Sequence, residues 1–165
     1  MTTLVVLALA SCGGAPETTS SPAGDSSGQT ISVAGSPALR WGEGDYGVVL
    51  AHGAAFDAAS WEEQAVAIAD QGATVVAVED IDSDAIRAAV ELLQDQGVAD
   101  VALVGASAGA DAILDLASQD PGLADQLILL SPNATVDGLG EEPKLFVASE
   151  DEPVANVSTE LAASS

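Results

Sequence analysis

The chain has 165 residues, enough for one domain with a sizeable core. Hydrophobic residues make up 48% of it and aromatics only 3%, so the core must be built from Ala, Val, Leu and Ile. Against 26 Asp and Glu stand three cations, Arg40, Arg87 and Lys144, for a net charge of −23, which excludes partners held by phosphate contacts, nucleic acid above all, and repels anionic lipid headgroups.

The chain opens on an apolar run, Leu4-Val5-Val6-Leu7-Ala8-Leu9-Ala10, that is too short to span a bilayer and has the length of a signal-peptide core. It ends in Leu9-Ala10-Ser11-Cys12, which resembles the lipobox of bacterial and archaeal lipoproteins. That resemblance implies cleavage after residue 11 and a diacylglyceryl group on Cys12, the only cysteine and so unable to form an internal disulfide. Two acyl chains, at about 0.8 kcal/mol per buried methylene, hold a protein firmly on a membrane. The segment before the run, Met1-Thr2-Thr3, lacks the usual cation. Residues 13–30 are rich in Gly, Ser, Thr and Pro and bury little, so residues 12–30 read as a lipidated cysteine with a flexible tether. Residues 31–165 are left as the folded domain.

That domain alternates strand and helix patterns. Short edge strands are expected over 31–33 and 38–41, and an apolar strand over 46–51 that runs into His52-Gly53. Ser60, with Glu63 three residues on, predicts a capping box for a helix over 61–71 stopped by Gly72. A buried strand follows over 73–78. Ser83 is the expected cap of a helix over 84–96, ended by Gly97, with Ile86, Val90 and Leu93 on one face. A strand over 101–104, a helix over 108–118, strands over 126–130 and 144–148, and a helix from residue 154 complete the pattern. Strands apolar from end to end between amphipathic helices predict an α/β fold: an open, mostly parallel, doubly wound sheet with helices on both faces. Sites in such sheets lie at the carboxyl ends of the strands.

One motif carries chemistry. Gly105-Ala106-Ser107-Ala108-Gly109 reads G-x-S-x-G between a strand and a helix, the setting of a nucleophile elbow. Small residues around Ser107 leave room for a tight turn, and the free N–H groups of the helix behind it favour an oxyanion. The bland alternative is a serine that merely starts a helix.

From about residue 46 to 153 the chain resembles an α/β-hydrolase, near the small lidless esterases and dienelactone-hydrolase-like members. Leu50-Ala51-His52-Gly53-Ala54 matches the family's H-G oxyanion loop, Ser107 lies in the elbow, and Ile128-Leu129-Leu130-Ser131-Pro132 matches the strand after the elbow helix. Pro143 to Pro153, with the acids near its end, matches the strand and loop that carry the family's acid. The resemblance implies Ser107 as nucleophile, the backbone N–H groups of Ala54 and Ala108 as the oxyanion hole, and Glu152 or Asp151 as the acid. It makes His52, the only histidine, a loop-shaping residue rather than the base, and a lone His without paired acids is a poor metal ligand. No motif implies a metal or a cofactor.

The order of a triad in this fold is serine, acid, histidine. No histidine follows the acids, so the chain is expected either to be part of a longer hydrolase, truncated before the last strand, or to be a degenerate member that binds rather than cleaves. The stretch from 132 to 142 is too short for a lid domain. Ala54, Ala55, Phe56 and Trp61 predict an apolar wall beside the oxyanion loop and hence a small or medium acyl ester, with an amide left open. The expected protein is secreted and held on the outer face of the membrane by its lipid; its oligomeric state is not readable. The acid excess further predicts a salt-loving source, against the plainer reading of an acidic protein from an ordinary organism.

Overall fold

A computed structural model describes residues 27–165. The expected signal peptide, Cys12 and the expected tether up to residue 26 lie outside the described residues.

The elements run β1 (Gln29–Val33), β2 (Ser36–Trp41), β3 (Tyr46–Ala51), a 3-10 turn (Ala58–Trp61), α1 (Glu62–Ala69), β4 (Ala73–Val78), α2 (Ser83–Asp95), β5 (Asp100–Ala106), α3 (Ala108–Gln119), β6 (Gln126–Leu130), β7 (Lys144–Val147) and α4 (Ala155–Ser164). The seven strands form one sheet in the order β1-β2-β4-β3-β5-β6-β7. The β1–β2 and β2–β4 pairs are antiparallel and all others parallel. This is the open, mostly parallel sheet that the apolar strands predict. Several boundaries move by one or two residues. β1 already starts at Gln29, which the tether was expected to include, and β2 is no edge strand, since it lies between β1 and β4.

Why the strands read as apolar throughout is visible in β4, where all six residues, Ala-Thr-Val-Val-Ala-Val, are buried. Alternate side chains enter different cores, because the pleat points successive residues to opposite faces. Val49, Ala51, Val76 and Val78 join Ile86, Val90 and Leu93 of α2, Ile113 and Leu114 of α3 and Leu161 of α4. Val48, Leu50, Val75 and Ala77 join Trp41 and Ala65 of α1 on the other face.

Both predicted serine caps are corrected. Asp57, not Ser60, caps the first turn: its Oδ1 accepts the Ser60 N–H at 3.0 Å, and α1 proper has no side-chain cap. Asp82, not Ser83, caps α2, accepting the Ala85 N–H at 2.8 Å. Ser83 instead becomes the first helical residue and donates to Asp115 Oδ2 at 3.1 Å. Asp and Ser are equally good caps, and an adjacent pair is resolved only by where the backbone enters the helix.

The expectation of helices on both faces holds over only part of the sheet. Along the α1 face the register sets Val104 beside Ile128 and Leu145, and Ala106 beside Leu130 and Val147. Val104, Ile128 and Leu130 are only partly buried, and Leu145 and Val147 are 51% and 44% exposed. The helix beyond β7, α4, packs on the opposite face, where Leu161 is buried. β7 is the last strand of the sheet, so an apolar strip and an open strand edge adjoin each other.

Candidate active site

The carboxyl ends of β3, β5 and β6 meet around Ser107, with β7 beside β6. Its backbone takes φ 51° and ψ −115°, a conformation that non-glycine residues rarely adopt and that persists only where surrounding structure enforces it. The enforcement is visible. The Ser107 N–H donates to Leu130 O of β6 at 2.8 Å, and its carbonyl accepts the Asp111 N–H at 3.0 Å as α3 begins. The flanking glycines are required by close approach. A Cβ on Gly105 would lie 2.7 Å from the Ala110 nitrogen, and one on Gly109 would clash with the Ala51 carbonyl and lie 2.6 Å from His52 O. α3 is thereby pressed against the end of β3 with Ser107 on the turn between β5 and α3.

The oxyanion loop adjoins it. A Cβ built on Gly53 would lie 3.5 Å from Ser107 Cβ, which puts the H-G loop in van der Waals contact with the elbow. Ala54 follows in an exposed turn and Ala108 is the first residue of α3. As a first helical residue, Ala108 has no acceptor for its N–H within the helix. The loop is fastened through Glu79 at the end of β4. His52 is 7% exposed, with Nδ1 2.9 Å from Gly53 O and Nε2 2.9 Å from Glu79 O. Both ring nitrogens thus face backbone carbonyls. The Glu79 carboxylate also accepts the Ala58 N–H at 3.1 Å, tying down the far end of the same loop.

The two candidate acids are separated by their surroundings. Glu152 Oε2 accepts the Ser131 hydroxyl at 2.6 Å, and Ser131, which follows β6, donates its N–H to Val147 O of β7 at 2.7 Å. Asp151 is exposed and takes part in no such bond. Ser131 shares the φ of 51° found at Ser107, so the residues after two neighbouring strands both have a positive φ.

Sequence reasoning missed Asn133, Asp111 and Glu79. Asn133 Nδ2 lies 3.4 Å from Ser107 Oγ and 2.8 Å from Asp111 Oδ2. The available signal was positional: Asn133 follows directly on the strand that matches the family's strand after the elbow.

A shallow cavity of about 180 Å³ opens beside the loop, lined by His52, Gly53, Phe56, Trp61 and Ala106 among others. Of the expected apolar wall, Phe56 and Trp61 line the cavity, whereas Ala54 and Ala55 lie in an exposed turn outside it. Among the described residues no cluster of His, Cys, Asp and Glu could hold a metal ion, and no helix is long and apolar enough to cross a membrane.

No protein-family model matches the chain, and no curated protein matches it. Solved structures do. A predicted CIB-like hydrolase from Thermoplasma acidophilum superposes with a TM-score of 0.61 at 22% identity, over 82% of this chain and 80% of that one. Epoxide hydrolase A from Mycobacterium thermoresistibile gives 0.51 at 28% identity, over 66% of this chain and 41% of that one. Potato (Solanum tuberosum) epoxide hydrolase I gives 0.54 at 20%, over 66% and 40%. This chain has the α/β-hydrolase fold, and these structural neighbours are hydrolases. It spans about two fifths of the length of the epoxide hydrolases and four fifths of the CIB-like hydrolase.

Proposed function

We propose that the protein is a serine hydrolase acting on a carboxylic ester with a small or medium acyl group, through an acyl-enzyme on Ser107. The observation that carries the reading is the enforced left-handed backbone of Ser107 at the β5–α3 turn, in contact with the H-G loop. Strain of this kind gathers where chemistry needs a side chain presented. In acylation the Ser107 Oγ–acyl bond forms, the acyl–alkoxy bond breaks, and the serine proton ends on the leaving alkoxide. The Ala54 and Ala108 N–H groups serve the developing oxyanion. Glu152, tied to Ser131, is the acid in this reading and Asp151 a solvated neighbour. The cavity beside Phe56 and Trp61 suits a short acyl chain. Cys12 carries the lipid that holds the protein on the outer face of the membrane.

A second reading rests on His52. The chain's one histidine turns both ring nitrogens to carbonyls, which leaves Ser107 without a base from this chain. A serine hydroxyl without a base is a weak nucleophile at neutral pH. A surface lipoprotein that binds acyl compounds and does not turn them over fits that observation.

A fluorophosphonate probe in high salt separates the two. Slow, stoichiometric labelling that vanishes in Ser107→Ala supports the hydrolase. Folded protein that never labels sinks it and leaves the binder.

A further inference from the structure

The side chain within hydrogen-bond reach of the Ser107 hydroxyl is an amide. Asn133 Nδ2 lies 3.4 Å from Ser107 Oγ, and Asn133 is firmly held. Its backbone N–H donates to Asp111 Oδ1 at 2.7 Å and its Nδ2 to Asp111 Oδ2 at 2.8 Å, while the Ala134 N–H adds a bond of 3.3 Å to Oδ1. Asp111 sits in the first turn of α3, where a carboxylate is favoured by the helix dipole. One carboxylate therefore fixes Asn133 through main chain and side chain at once.

The resulting order is hydroxyl, nitrogen, carboxylate. An amide NH2 has two hydrogens, and here one goes to Asp111 and leaves the other for Ser107. The lone pair of an amide nitrogen is delocalised into the carbonyl and takes up no proton, so Asn133 Nδ2 meets Ser107 only as a donor. A donor aimed at Oγ orients the hydroxyl and stabilises the oxygen as it takes on negative charge.

We propose that Asn133 is a catalytic residue of the Ser107 site and that Asp111 is its positioning residue. This rests on Ser107 being the nucleophile and adds the residue that controls it. It follows that Asn133→His sets a proton acceptor between Ser107 and Asp111.

The test is the rate of fluorophosphonate labelling of the full chain against pH, in high salt, for the parent, Ser107→Ala, Asn133→Ala, Asn133→Asp, Asn133→His and the double variant Asn133→His/Asp111→Asn, with melting curves to confirm folding. Asn133→Ala and Asn133→Asp should label about tenfold more slowly. That is below the ~100-fold cost of losing a short oxyanion-hole donor, because 3.4 Å is long. Asn133→His should label faster than the parent, with a rise in rate centred near the ordinary histidine pKa of about 6.5 that the parent lacks. The double variant should lose most of that gain. Labelling by Asn133→His alone, with a silent parent, overturns Asn133 as a catalytic donor and leaves Ser107 as a serine that reacts only when given a base. Folded alanine and aspartate variants that label as fast as the parent, with no new pH step in Asn133→His, overturn it and leave Ser107 as nucleophile. Silence of the parent and of Asn133→His overturns the nucleophile reading and this proposal together.

Discussion

The Glu152 carboxylate accepts the Ser131 hydroxyl at 2.6 Å, so the segment after β7 is fastened to the end of β6 and not left in solvent. Its neighbour Asp151 is exposed. A hydrogen bond to a charged group that is partly buried contributes about 1.5–3 kcal/mol, whereas an unpaired surface carboxylate contributes within about 0.5 kcal/mol. Glu152→Ala should therefore lower stability by about 1–2 kcal/mol, and Asp151→Ala should leave it unchanged. Denaturant midpoints measured side by side decide this, and equal effects would refute the assignment of Glu152 as the held acid.

Tyr46 should contribute to the loss of stability at alkaline pH. Its hydroxyl lies 3.4 Å from Gln126 Oε1, and its pKa is pushed above the ordinary value of 10, first by burial and then by the negative charges of Asp125 and Asp100. All three effects disfavour the phenolate in the folded state. The folded chain therefore holds the phenolic proton more tightly than the unfolded chain does. That contribution is fully present below pH 10 and is lost as pH rises through the raised folded value. Stability followed by urea unfolding should fall on this alkaline limb in the parent, and Tyr46→Phe should flatten the fall. An identical limb in both proteins would remove Tyr46 as its cause.

Salt should stabilise the protein. Of its three cations, Arg87 is engaged by Asp120 and Lys144 lies buried 3.6 Å from Glu142, with its ammonium also donating to Gly140 O and Glu142 O. Arg40 buries its Nε. Little positive charge is left at the surface to offset the acids, and at about 1 M salt a screening length of about 3 Å removes most of their repulsion. The melting temperature should climb steadily from low to molar KCl. A flat curve would defeat the salt-loving reading.

How much of this was legible in advance varied with the range of the interaction. The elbow was readable because its steric demand is written locally: Gly105 and Gly109 are the positions where a side chain would collide with backbone. The strand cores were readable because β4 is Val and Ala but for Thr74, whose hydroxyl is buried and donates to Gly44 O at 2.8 Å. The caps were misread by the sequence pattern because Asp57 and Ser60, or Asp82 and Ser83, offer similar oxygens, and only the path of the entering chain selects one. Asn133 carried no chemical signal at all, since an asparagine after a strand is an ordinary turn residue.

By itself, then, the sequence determined the alternation of strand and helix, the serine turn and the glycine loop, all of which depend on residue size and periodicity within a few positions. Only the tertiary structure decided that β2 lies between β1 and β4, that the strip from Val104 to Val147 is incompletely covered, that the His52 ring lies against Glu79 O, and that Asp111 holds Asn133 beside Ser107. Those relations join residues more than 20 positions apart, or set one exposed turn against another, and they exist only once the parallel register of β3, β5, β6 and β7 brings the strand ends to one edge.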